Sequence, residues 1–229
     1  QKTKSVDVYI SNIAFSNKGL SFNFESSWGS SQIITNLYGK FNIENLSLVI
    51  SALCQNGFNL KDIADCINSL GPIIGRMTKY ELPEDSTVFI DYAHTPDAIK
   101  NVLSSLKLHF PEKKITTVFG CGGERDISKR KIMGEIANKM SDKIVLTNDN
   151  PRNENEDKII NDIRLGINKK KDLQIIKDRA VAIKETISKA NKDDLVIILG
   201  KGHEKVQILG DKKIIYSDME TMEQVISSS

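Results

Sequence analysis

No stretch of this chain approaches the roughly 20 consecutive apolar residues that a membrane-spanning helix needs. Nor does its N-terminus carry the charged-then-apolar pattern of a secretory leader. An excess of either charge is also missing. The 32 basic and 30 acidic residues leave a formal charge of +2, too balanced for nucleic acid or an anionic membrane to be engaged by bulk electrostatics. Cysteine is sparse: Cys54, Cys66 and Cys121 are odd in number and lack metal-site spacing. That fits a reducing cytoplasm, with Cys54 and Cys66 as small core residues. There is no internal repeat, no G-x-G-x-x-G and no Walker A loop, so neither nucleotide fingerprint applies. What is present is a globular composition, 39% hydrophobic and 27% charged over 229 residues. Such a chain can bury the core of one large domain, or of one domain and part of another.

Residues 1 to about 37 read as β structure. Val6, Val8 and Ile10 alternate with polar neighbours, as do Leu20, Phe22 and Phe24, and Ser16-Asn17-Lys18-Gly19 offers a turn between them. Ser30 to Leu37 extends the pattern to a third strand. Asn42 is a candidate helix cap, followed by helical spacing of Leu46, Val49, Ile50 and Leu53. A second helix is expected from Asn59 or Leu60 to Leu70, closed by Gly71-Pro72, with a domain boundary there. The pattern then changes. Short apolar strands are expected at Thr87–Tyr92, Ile115–Phe119, Lys143–Leu146, Leu173–Ile176 and Leu195–Leu199. Helices are expected at Pro96–His109, Ser128–Met140, Glu156–Ile167 and Arg179–Ala190. This alternation predicts βαβ units and a mostly parallel sheet, finished by a hairpin over Lys205–Tyr216 and a helix near Glu220–Ile226.

In such a sheet, ligands bind where the parallel strands end. Four of the expected strands run into polar clusters: Asp91 to Asp97, Gly120 to Arg130, Thr147 to Arg152, and Gly200 to Glu204. Each alone is compatible with an ordinary turn; four on one rim point to a binding site. Gly200-Lys201-Gly202 lacks phosphate-loop spacing and is not read as one. His109, at the end of an amphipathic helix, is expected to be exposed. Arg125 and Arg152 present planar forks for carboxylate or phosphate, while Asp149 and Glu204 can accept from an ammonium group. Both kinds together suit a zwitterionic amino acid.

These motifs resemble the Mur ligases of peptidoglycan synthesis, and among them the branch that makes the UDP-N-acetylmuramoyl-tripeptide. The matching stretches are Gly39-Lys40-Phe41-Asn42 with Asn45, Gly75-Arg76-Met77, DYAHTPD at 91–97, FGCGGERD at 119–126, DNPR at 149–152, Asp178-Arg179 and GKGHE at 200–204. The resemblance implies an ATP-dependent amide ligase of the bacterial cytoplasm. It would add meso-diaminopimelate to UDP-MurNAc-L-Ala-D-Glu through an acyl phosphate, with Mg2+ as a second cofactor. It implies that Arg152, helped by Asn150 and Asp149, holds the distal carboxylate of diaminopimelate, with Arg125, Gly200 and Glu204 completing the pocket. Asn42 and Asn45 would lie near adenine, Arg76 at the phosphates, and Asp91 and His94 near ribose and phosphates, with Arg76 and His94 counted as catalytic. Members of this branch are about twice as long. The resemblance therefore implies that 1–73 is the end of the central ATP-binding domain, an α+β remnant, and that 74–229 is the Rossmann-like C-terminal domain. The Walker loop and the magnesium ligands would belong to parts not seen here, and the chain alone is expected to be inactive. Two other readings stay open: a lysine-adding or other Mur-type ligase, which the presence of Arg152 argues against, and a non-catalytic amino-acid-binding module, for which Arg76, Asp91 and His94 would have no purpose. A dinucleotide-dependent oxidoreductase would need the missing glycine fingerprint.

Overall fold

The computed structural model describes residues 8–82 and 86–228. Val6, part of the first expected strand, lies outside them. The chain divides into two compact units, Gln1–Pro72 with Ser105–Pro111, and Ile73–Ser104 with Glu112–Ser229.

In the first unit, β1 (Tyr9–Ser16), β2 (Gly19–Ser26) and β3 (Gly29–Thr35) form an antiparallel meander. Alternation along β2 puts Leu20, Phe22 and Phe24 on one face. There they join Ile33, then Ile43, Leu46 and Ile50 of α1 (Phe41–Gln55), and Ile63 and Ile67 of α2 (Leu60–Asn68), in one buried core. The Asn59 side chain caps α2 by accepting from the Lys61 and Asp62 N–H groups. Three expectations are corrected here. Asn42 does not cap α1: the helix has already begun at Phe41, and the Asn42 amide donates back to the Tyr38 carbonyl at 2.8 Å. Cys66 is exposed, because the buried stripe of α2 runs through Leu60, Ile63, Ala64 and Ile67 and leaves position 66 outside it. His109 is buried, only 4% exposed, because it continues the buried row Val102, Leu106 at a spacing of about one turn. Its Nε2 accepts from the Gly39 N–H at 3.1 Å and its Nδ1 lies 2.8 Å from the Ser16 carbonyl. One neutral tautomer satisfies both, and burial pushes the imidazole pKa down.

The second unit is built on a six-stranded sheet. Its elements in chain order are β4 (Thr78–Glu81), β5 (Thr87–Asp91), α3 (Pro96–His109, whose end lies in the first unit), β6 (Lys114–Phe119), α4 (Ser128–Met140), β7 (Lys143–Leu146), α5 (Glu156–Arg164), β8 (Asp172–Ile175), α6 (Arg179–Ser188), β9 (Asp194–Leu199), the hairpin β10 (Val206–Leu209) and β11 (Lys212–Ile215), and α7 (Asp218–Ser228). The strand order is β4-β5-β9-β6-β7-β8, all parallel except the edge strand β4. The expected α/β class with a mostly parallel sheet is what the unit has. Every residue of β5 and β9 is buried, the pattern of central strands covered on both faces. The expected list of strands lacks β4; its four residues, Thr-Lys-Tyr-Glu, are half-buried or exposed and carry no apolar alternation. Among the described residues no helix is long and apolar enough to cross a membrane.

Candidate active site

Because β5, β6, β7 and β9 run parallel, their C-terminal ends and the loops that follow share one edge of the sheet. Nine of the eleven expected site residues belong to this unit; Asn42 and Asn45 belong to the first, where the Asn45 amide donates to Asn42 Oδ1 at 3.3 Å.

After β5, Asp91 is 5% exposed and acts as a clamp. Its Oδ1 accepts from the Ala93 N–H and its Oδ2 from the Met77 N–H, both at 2.8 Å. Burial raises the pKa of this carboxyl, and the two N–H groups and Arg76 oppose that rise. The clamp ties Arg76, next to Met77, to the turn that carries His94. The Arg76 guanidinium is 4.8 Å from the centre of the Tyr92 ring, a cation–π contact. The His94 and His203 rings lie 4.7 and 5.2 Å from the same ring. Tyr92 is thus an organising residue that polar-cluster reasoning passed over, although it stands inside DYAHTPD.

After β6, Gly122 lies between the two arginines of interest. A Cβ placed there would be 3.0 Å from Arg152 Nη1 and 3.7 Å from Arg125 Cγ. Arg125 is exposed, while Arg152 is half-buried and already braced: its Nη1 donates to the Gly123 carbonyl at 2.9 Å and to the Asn150 carbonyl at 3.3 Å. Nη2 and Nε of Arg152 have no protein acceptor among the described residues. The hairpin backs this arginine. Arg152 N–H donates to the Ile208 carbonyl at 3.1 Å, and Gly210 N–H donates to the Arg152 carbonyl at 2.8 Å. Asp149 and Asn150 are 8% and 7% exposed. Gly200, at φ +116°, lets the β9 loop pass Asp149 so closely that a Cβ would stand 2.5 Å from Asp149 Oδ2. Glu204 Oε2 accepts from Asn150 Nδ2 at 3.2 Å. Arg125, Asp149, Asn150, Arg152, Gly200 and Glu204 are therefore carried by three contiguous loops.

Three non-glycine residues in this unit have positive φ: Met77 at 48°, Glu124 at 54° and Arg152 at 54°. Each is, or adjoins, one of the site arginines. Left-handed backbone at such residues costs on the order of 1–3 kcal/mol and persists only where surroundings enforce it, and no sequence signal marks it. Buried charges supply the enforcement. Arg130, fully buried on α4, grips both oxygens of Glu154 at 2.6 Å and Asp162 at 3.0 Å, while Glu154 Oε2 accepts from the Glu124 N–H at 3.1 Å. Cys121 is buried, and burial pushes its thiol pKa up.

The grip on Glu154 has a pH signature. Hydrogen bonding to Arg130 holds its pKa down at about 2, below the ordinary 4.5. A carboxylate with a depressed folded-state pKa stabilises the protein fully above its unfolded value and loses that contribution as pH falls. Stability is expected to drop by about 2 kcal/mol between pH 4.5 and 2, after allowance for partial solvent screening. Glu154→Gln should flatten that part of a urea-denaturation pH profile; an unchanged profile would remove Glu154 as its source.

At this edge of a mostly parallel sheet, arginines stand beside acidic groups on neighbouring loops. Residues 75–202 match the family described as Mur ligase, glutamate ligase domain, and the chain belongs to that family. It is 45% identical over 226 residues to a UDP-N-acetylmuramoyl-L-alanyl-D-glutamate--2,6-diaminopimelate ligase of Wigglesworthia glossinidia brevipalpis, covering 99% of this chain and 45% of the relative. It is 48% identical over 199 residues to the enzyme of that name from Buchnera aphidicola subsp. Schizaphis graminum, covering 87% of this chain and 40% of the relative. A solved structure of a UDP-N-acetylmuramoyl-L-alanyl-D-glutamate--2,6-diaminopimelate ligase superposes with a TM-score of 0.72 at 36% identity, over 99% of this chain and 46% of that one. The chain spans less than half the length of these relatives.

Proposed function

We propose that this chain carries the amino-acid-binding part of an ATP-dependent amide ligase that joins meso-diaminopimelate to UDP-N-acetylmuramoyl-L-alanyl-D-glutamate. The observation that carries the reading is the braced fork of Arg152 beside Asp149 and Glu204. Its Nη1 is spent on two backbone carbonyls, so its remaining edge is pre-oriented for a carboxylate. Acidic groups on the adjoining loops suit the ammonium of the same amino-acid centre. A lysine side chain ends in an ammonium group without a carboxylate and would leave the fork unpaired. The names of the two curated relatives described above, both diaminopimelate ligases, support the same choice.

In this reading Arg125 holds the second carboxylate, and the pocket aims the free amine at the activated D-glutamyl carboxyl. The chain's own groups fit a nucleotide phosphate: Arg76 is an exposed cation whose loop is fixed from below by Asp91. Asp91 and His94 at ribose and phosphates, and Asn42 and Asn45 at adenine, belong to the same proposal, with Arg76 and His94 acting on the transferred charge. When bound, ATP would supply the phosphoryl group that activates the carboxyl. Among the described residues no group of three or more His, Cys, Asp or Glu side chains could hold a metal ion, so Mg2+ is assigned no ligands within them.

The test is amide formation by the whole protein from UDP-MurNAc-dipeptide, ATP, Mg2+ and meso-diaminopimelate. Arg152→Ala should raise the KM for diaminopimelate by about 10- to 150-fold, equivalent to about 1.5–3 kcal/mol for a charged hydrogen-bonded partner, with the KM for ATP little changed. An unaltered KM for diaminopimelate would defeat the assignment.

A further inference from the structure

We propose that Lys201 is a positioning residue that dictates which end of the Asn150 amide faces the ligand, so that Asn150 reads a carboxylate as a hydrogen-bond donor. The ligand's identity rests on the functional reading above; the orientation of the amide does not.

Lys201 follows Gly200 but points away from solvent, with 0% exposure. Its ammonium has three hydrogens and three acceptors: Asn150 Oδ1 at 3.1 Å, Glu204 Oε2 at 3.0 Å and the Val206 carbonyl at 2.8 Å. No donor is left for a phosphate, so the lysine of this glycine turn is an internal pin. Asn150 Oδ1 also accepts from the Ile208 N–H at 3.0 Å. Lys201 Nζ and Ile208 N are donors only, so a flipped amide would set its NH2 group against two donors and lose both bonds. The oxygen of Asn150 is therefore turned inward, and Nδ2 lies on the other side. One Nδ2 hydrogen goes to Glu204 Oε2 at 3.2 Å. The second has no protein acceptor among the described residues. Beside it the Asn150 carbonyl braces Arg152 Nη1, so the spare amide hydrogen and the arginine fork belong to one loop and serve the same anion. The Lys201 ammonium also pairs with Glu204, the acidic group offered to the ligand's ammonium. One buried cation thus sets the donor polarity of Asn150 and the place of Glu204. Buried ionic groups that fix geometry have this specifying role in other proteins.

The experiment joins a spectroscopic readout to a specificity readout on the chain as it stands. In 15N-labelled protein without ligand, the two Asn150 side-chain NH2 signals should be displaced from those of a solvated asparagine and in slow exchange with water. In Lys201→Met both signals should shift towards those of a solvated asparagine and exchange faster with water, and in Lys201→Arg, which restores a cationic donor, the native shifts should partly return. By calorimetric titration, the preference for meso-diaminopimelate over L-lysine should fall by about tenfold or more in Lys201→Met, as for loss of a charge-assisted contact. Asn150→Asp keeps the acceptor for Lys201 and Ile208 but replaces the N–H by an oxygen facing Glu204 Oε2, so it should lose the same preference and, through that like-charge contact, melt at a lower temperature than the wild type. This variant decides the matter if Lys201→Met does not fold. An Asn150 amide signal unchanged in Lys201→Met, or full preference retained in Asn150→Asp, would overturn the proposal. A wild-type chain with the expected amide signals but no preference for meso-diaminopimelate would overturn the ligand assignment and leave the role of Lys201 standing.

Discussion

Asp218→Ala is expected to destabilise the second unit by about 3–5 kcal/mol, the cost of leaving a buried charge without its partner. Asp218 opens α7 and is fully buried, as is the Arg179 side chain it faces. Arg179 Nε and Nη2 each donate to one carboxylate oxygen at 2.7 Å, and the Tyr216 hydroxyl donates to Oδ1 at 3.0 Å. The same guanidinium reaches the sheet edge. Its Nη2 donates to the Leu199 carbonyl at 2.9 Å and its Nη1 to the Asn148 carbonyl at 3.5 Å. Those carbonyls directly precede Gly200 and Asp149, so the ion pair holds two site loops at their roots. Urea denaturation measures the loss, and Asp218→Asn, which keeps an acceptor but no charge, should fall between the wild type and alanine. A loss below about 1 kcal/mol, as for a solvated surface pair, would show that the pair does not anchor the unit.

Under the proposed function, Arg76→Ala is expected to depress turnover of the whole protein by about 100- to 1,000-fold, the scale for removing one preorganised group that stabilises developing charge. The KM for diaminopimelate should change little. The loop of Arg76 is over-determined. Gly75, at φ +72°, is so close to the 202–203 backbone that a Cβ would stand 2.3 Å from the His203 nitrogen. Gly75 N–H donates to Thr78 Oγ1, and Met77 N–H donates to Asp91. In the proposed role, an exposed cation held this firmly and resting on Tyr92 would need no reorganisation to meet a phosphoryl group. Steady-state kinetics separates the two arginines. If Arg76→Ala raised the KM for diaminopimelate and spared turnover, the roles of Arg76 and Arg152 would be exchanged.

Much of this architecture is readable from residue order. The apolar runs expected as strands at Thr87–Tyr92, Ile115–Phe119 and Leu195–Leu199 have the length and β-branching of central strands, and the strands observed there lie inside the sheet. The polar clusters that follow them meet at one edge because parallel strands end together. Long-range pairing is less legible. Nothing local says that Arg179 will find Asp218, 39 residues on, or that Arg130 will find Glu154; as residues in a sequence they look like solvated charges. Spacing alone rules out a phosphate loop at Gly200-Lys201-Gly202, but the burial of Lys201 shows only in three dimensions. The positive φ at Met77, Glu124 and Arg152 has no side-chain signature. His109 is the instructive failure, because its place on the apolar stripe of α3 was visible, but a histidine beside Phe-Pro at a helix end reads as surface.

The measurement that tests the central claim most directly is calorimetric titration of this chain with meso-diaminopimelate, with L-lysine as the control. The account predicts saturable binding of meso-diaminopimelate and at least tenfold weaker binding of L-lysine, because only the former offers Arg152 a distal carboxylate. L-lysine binding as tightly as meso-diaminopimelate would contradict it.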